Sequence, residues 1–136
     1  MSCHSANLAL VTALELGISG RATMTVSLEE TAVVQGTGDV EVLSTPRLLQ
    51  LMQEATMDAL AGRLPEGVIT AGLRINLDHL HGSVVGDTIE AVAVLTRIEG
   101  RRLIFEAEAT GGGQIVGSGR IIRVQIGRDQ FLRRLE

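Results

Sequence analysis

The chain has 136 residues, one domain's worth, and its 45% hydrophobic and 21% charged residues make a globular composition. Two Phe and no Tyr or Trp leave an aliphatic core and exclude recognition that stacks bases on aromatic side chains; all twelve basic residues are Arg, the net charge is −4, and an acidic chain without a basic block is a poor nucleic-acid binder. The lone Cys3 cannot form an internal disulfide, Glu15 interrupts the first apolar stretch, and no apolar run approaches the ~20 residues of a membrane span, so the expectation is a cytoplasmic domain with neither nucleic-acid nor membrane partners.

Residues 1–13 are weakly patterned and read as a loose extension or a short helix, leaving one domain over 14–136. Residues 21–34, RATMTVSLEETAVV, are rich in Thr and Val and predict a strand, followed by the polar loop QGTGDVE. A helix comes next. Ser44 or Thr45 can cap it, Pro46 suits its first position, and its periodicity runs to about Gly62 with Pro65 beyond. Leu48, Met52, Ala55 and Ala59 make one stripe, and Leu49, Gln53, Thr56 and Leu60 the adjacent seam. Arg47, Gln50, Glu54 and Asp58 make the hydrophilic face.

After Pro65-Glu66-Gly67 the period switches from 3.6 to 2. In VITAGLRINLDH, Ile69, Ala71, Leu73, Ile75 and Leu77 alternate with polar residues or glycine. Three more strands are predicted in DTIEAVAVLTRIE, RRLIFEAEAT and QIVGSGRIIRVQI, with turns at Glu99-Gly100 and Gly111-Gly112-Gly113. Asp129 to Glu136 can close the chain as a short amphipathic helix. Strand, helix, then four strands is an α+β pattern, a meandering antiparallel sheet on one helix.

Few residues can carry chemistry. Extending the apolar face of VITAGLRINLDH by two residues lands on His79, which is either an inert hydrogen-bonded histidine at a strand end or a base. His81 makes an HxH pair, but a third ligand is lacking and no metal site is expected. Thr45 stands at the positive end of a helix, where an ordinary cap and a carbonyl-binding hydroxyl look alike. Gln53 is a polar residue on an otherwise apolar seam.

VLSTPRLLQLMQEA, AGLRINLDH, the Gly86-Asp87 strand start and IEGRRLIFEAEA with the later IVGSGRIIRV resemble the hotdog-fold thioesterases of the fluoroacetyl-CoA thioesterase type, over roughly residues 14–126. The resemblance implies a curved antiparallel sheet wrapped around one long helix, with pairs of subunits building acyl-CoA sites at their interface. It further implies a threonine at the helix start, here Thr45, a histidine on the next strand, here His79, and a glycine N–H holding the thioester oxygen, here Gly72. The family's glutamate, eight residues after the threonine, falls on Gln53.

An amide has no anionic form at working pH and cannot serve as base or nucleophile. Glu54 lies ~100° around the helix, on the hydrophilic face. The expectation is therefore His79 as general base for acyl-CoA hydrolysis, with Thr45, Gln53 and the Gly72 N–H positioning water and oxyanion. Leu49, Arg102 and Arg120 are the candidate substrate contacts, the arginines for CoA phosphates, alongside Arg97 and Arg101. CoA enters only as part of the substrate, with no separate cofactor. VAVL at 92–95 and RIIRV at 120–124 alternate poorly and predict burial on both faces, hence a homodimer or a dimer of dimers. Two other readings stay open. One is a non-catalytic acyl-CoA or acyl-carrier binding module, favoured by Gln53. The other is an enoyl-CoA hydratase, disfavoured because Asp78 and His79 are neighbours on a strand and point to opposite faces.

Overall fold

The computed structural model describes residues 14–136, so the expectation for 1–13 falls outside the described residues. Five strands form one antiparallel sheet: β1 (Ser19–Thr25), β2 (Val68–His79), β3 (Thr88–Glu99), β4 (Arg102–Gly111) and β5 (Gln114–Gly127), in the order β1-β3-β4-β5-β2. A four-residue helix α1 (Ala32–Gln35) precedes the long helix α2 (Thr45–Leu60), and α3 (Arg128–Arg134) ends the chain. The α+β hotdog expectation holds.

One element differs. Only the first part of residues 21–34 is strand, because Ser27 and Glu30 form a capping box that turns Leu28–Glu30 into a 3-10 turn, with α1 behind it. Threonine and valine content predicts extended backbone, and local hydrogen bonding from Ser27 overrides it.

Helix α2 lies on the concave inner face of the sheet. Leu48, Leu51, Met52, Ala55, Ala59 and Leu60 are buried there against Ile89, Ala91, Ala93 and Leu95 of β3 and Leu103 and Phe105 of β4. Leu51 widens the stripe read from the sequence. Full burial of each large aliphatic side chain contributes about 1.5–3 kcal/mol, so this interface holds the helix in place. Gly20 allows the closest approach: a Cβ there would stand 2.2 Å from Ala59 N and 2.3 Å from Ala55 O.

Among the described residues strand β2 is an edge, hydrogen-bonded only to β5. Its ladder slips between Gly72 and Arg74, a β-bulge at Leu73. The bulge overturns the single face expected for Ile69 to Leu77. Beyond it Ile75, Leu77 and His79 pair with Ile121, Gly119 and Gly117 on the inner face, whereas before it Gly72 pairs with the buried Arg123. Val68, Thr70 and Gly72 therefore face inward, and Ile69 and Ala71 outward.

Candidate active site

Ser44 is the helix cap: its Oγ accepts from Arg47 N at 3.1 Å and is also bonded to Gln35. Pro46 is then the second helical residue, and the Thr45 hydroxyl is free of capping. That hydroxyl lies 2.8 Å from His79 Nδ1. The dyad joins the first turn of α2 to the end of β2. Gly117 pairs with His79 across the ladder, and a Cβ there would meet Leu48 Cδ2 at 2.8 Å and Asp78 O at 3.2 Å.

His79 is half-buried, and its Nε2 is buried without a protein hydrogen-bond partner. Burial lowers its pKa below the ordinary histidine value, against the opposing pull of a hydrogen bond with the His81 backbone. The ring is therefore neutral at pH 7, as a base must be.

The segment ahead of α2 braces the dyad. Glu30 Oε2 accepts from Arg47 Nε at 2.7 Å, Glu30 O accepts from Ser44 N at 2.9 Å, and Ala32 N donates to Val42 O at 2.8 Å. Burial alone would raise the Glu30 pKa; hydrogen bonds from Ser27 and Arg47 outweigh it, and the carboxyl is held below its usual value.

Gln53 and Gly72 form a second cluster with Arg123. A Cβ on Gly72 would stand 3.0 Å from Gln53 Oε1 and 3.9 Å from Arg123 Nη1. Arg123, only 6% exposed, donates from Nε to Thr70 Oγ1 at 2.9 Å and from Nη2 to Thr70 O at 3.2 Å. Sequence reasoning missed it. IIRV reads as strand with one solvated arginine; the available signal was parity, since Arg123 shares the face of Ile121.

The two clusters are apart within one chain. Thr45 and Gln53 are separated by eight residues of helix, ~12 Å. His79 and Gly72 pair with Gly117 and Arg123 on β5, an extended separation of ~20 Å. Leu49 lies between the two clusters on α2, partly buried. Arg102 and Arg120 are not brought to either cluster: both are exposed on the outer face, where Arg120 Nε is bonded to Glu106 at 2.8 Å. A 680 Å³ concavity on that outer face is lined by Asp78, Glu106, Glu108 and Arg120 and contains neither cluster. Asp78 thus faces away from His79. Glu54 accepts from Gln50 Nε2 at 3.0 Å and lies 3.8 Å from Arg47 Nη1, on the hydrophilic face. No group of three metal-ligating side chains occurs among the described residues, and no helix among them is long and apolar enough to cross a membrane.

Residues 26–129 match the family model for the fluoroacetyl-CoA-specific thioesterase FlK. The chain belongs to that family. The fluoroacetyl-CoA thioesterase of Streptantibioticus cattleyicolor is 33% identical over 91 residues, 67% of this chain and 66% of the relative. The crystal structure of a hot-dog-like protein from Thermanaerovibrio acidaminovorans superposes with a TM-score of 0.84 at 26% identity, covering 91% of this chain and 92% of the other. A thioesterase superfamily member from Thermus thermophilus gives 0.81 at 25% identity, over 89% and 92% of the two chains. Membership of the FlK family agrees with a long helix on a curled five-stranded sheet.

Proposed function

We propose that this protein hydrolyses an acyl-CoA thioester with His79 as general base. The observation that carries the reading is the 2.8 Å contact between Thr45 Oγ1 and His79 Nδ1. With Nδ1–H donating to Thr45, the buried Nε2 presents its lone pair. Water gives a proton to Nε2 as its oxygen attacks the thioester carbon. The Gly72 N–H stabilises the oxyanion, a contribution of about 2.7–4 kcal/mol for one such donor. Collapse breaks the C–S bond, and the departing thiolate takes the proton back from Nε2. Gln53 orients water or carbonyl through its amide, and no metal or separate cofactor takes part.

A second copy of the chain completes this site. The 12-residue β2 has a free edge, a template for pairing with another strand. Antiparallel pairing of two β2 strands centred on Asn76 matches inner residues with inner ones and sets His79 of one copy opposite the Gly72–Leu73 bulge of the other. Each site then combines Thr45 and His79 from one chain with Gln53, Gly72 and Arg123 from the second. A cytoplasmic homodimer is the assembly that fits this reading.

The test is thiol release from a panel of acyl-CoAs by wild type and His79→Ala. General-base catalysis is worth typically 10²–10⁴-fold, and a loss of about that size is expected; an unchanged rate sinks the assignment. The same hydrogen bond supports a second reading, in which the Thr45 hydroxyl donates to Nδ1 and attacks the thioester itself. Mass spectrometry after rapid quenching separates the two, because only the second forms an acyl-threonine. Gln53 supports a third, an acyl-CoA binder without turnover, which requires tight binding and no thiol release.

A further inference from the structure

We infer that Glu30, acting through Arg47, is a positioning residue for the Thr45–His79 dyad. The inference rests on the dyad reading above and deepens it by naming the side chain that sets Thr45 in place.

A helix that starts on serine ordinarily draws on its own third residue. A Glu or Gln there reaches back to the N–H of the capping residue, while the serine hydroxyl accepts from the third N–H. Helix α2 keeps half of that arrangement. Ser44 Oγ accepts from Arg47 N at 3.1 Å, but the third position is Arg47 and the first turn has no acidic residue. A cation there also opposes the positive end of the helix dipole.

Glu30 answers both deficits from outside the helix. Its carbonyl oxygen accepts from Ser44 N at 2.9 Å, and its Oε2 accepts from Arg47 Nε at 2.7 Å. Its Oε1 accepts from Ser27 N at 2.9 Å and Ser27 Oγ at 3.0 Å, closing the capping box of the preceding turn. One carboxylate therefore serves two helix starts, and Thr45, the next residue after Ser44, moves with them.

The pair is not easily replaced. The Arg47 and Glu30 side chains are 15% and 22% exposed, so their charge-assisted bond is little screened by water. Arg47 Nη1 is buried without a hydrogen-bond partner, and the other carboxylate in its reach is Glu54 at 3.8 Å, further along the helix. Without the Glu30 charge the guanidinium turns to Glu54, and the first turn of α2 loses its anchor on the 27–30 turn. Thr45 Oγ1 then drifts from His79 Nδ1. A misplacement of about 1 Å near reacting groups can cost about 10²-fold in rate. The Thr45 bond also fixes which ring nitrogen of His79 carries the proton, so a loosened dyad shows as a mixture of tautomers.

Glu30→Gln keeps the shape of the side chain and an oxygen for Ser27, and removes the charge that Arg47 faces. Its kcat for thiol release is expected to fall about tenfold or more with KM within about twofold. The nitrogen NMR spectrum of His79 should change from one tautomer to a mixture. Glu30→Gln combined with Arg47→Glu supplies the capping carboxylate from within the helix and should recover much of both. A kcat within about twofold of wild type overturns the inference, as does a lowered melting temperature with the His79 spectrum unchanged, which is a structural role alone. Recovery of neither readout in the double variant overturns it too. If Glu30→Gln does not fold, Arg47→Lys, which keeps the charge but cannot reproduce the Nε contact, carries the same expectations. If the wild type releases no thiol, hydrolysis is the reading that fails, and the His79 spectrum of the free protein still decides whether Glu30 positions the dyad.

Discussion

Mixing two inactive variants tests whether the site is shared. His79→Ala removes the base from the dyad cluster. Gly72→Val places branched carbons where Gln53 Oε1 is already 3.0 Å from an ideal Cβ, closing the other cluster. Each homodimer has two crippled sites. In a mixed dimer built across β2, one site collects both substitutions and the other collects none. Random pairing makes half the dimers mixed, and half of their sites are intact, so about one quarter of wild-type activity returns in the whole mixture and about one half in the isolated mixed dimer. The variants carry different affinity tags, are unfolded and refolded together, and the doubly tagged species is assayed by thiol release. If both clusters of a site belonged to one chain, every site in the mixed dimer would carry one substitution. Activity no higher than the sum of the two variants alone would refute the shared-site reasoning.

Two further outcomes follow from the geometry. Because burial lowers the His79 pKa, kcat/KM is level from pH 7 to 8 and falls in acid with a midpoint below the ordinary 6.5; a midpoint at or above about 7 contradicts a desolvated neutral base. Gly20→Ala drives a methyl group into the α2 backbone at 2.2–2.3 Å. Denaturant titration should show a loss near the upper end of the usual ~1–3 kcal/mol for overpacking, and a change under about 1 kcal/mol would mean that the helix and β1 are less tightly pressed together.

The long helix and the four later strands were legible because each has a clean period and chemical stops. Ser44 and Pro46 start α2, and Gly100 and Gly112-Gly113, all with positive φ, turn the hairpins. Thr45 and His79 were legible for the same reason: one is placed by a helix start and the other by alternation at a strand end. Alternation alone failed at Leu73, since a bulge leaves no mark in a run that still reads apolar at every second position. It failed in turn for Arg123, whose inward direction depends on the whole ladder. The segment at 27–35 was misread because two hydrogen bonds that Glu30 Oε1 accepts, from Ser27 N at 2.9 Å and from Ser27 Oγ at 3.0 Å, decide its backbone and β-propensity does not.

The bulge in β2 also has the character of a phase shift. Upstream of Leu73 the strand runs on one parity and downstream on the other, so the inserted residue lets a single strand hand a histidine and a glycine to the same side of the sheet although their numbers differ by an odd count. Deleting Leu73 would leave Gly72 and Arg74 on consecutive partners, Arg123 and Ile122, and keep every face; straightening the ladder with Leu73 in place would instead move Thr70 and Gly72 to the outer face and Ile69 and Ala71 to the inner one. In that straightened ladder Arg123 would lose both of its Thr70 bonds. At this sheet edge the pairing of one inserted residue therefore carries more chemical weight than most substitutions in the core, because it decides which side chains reach the inner face.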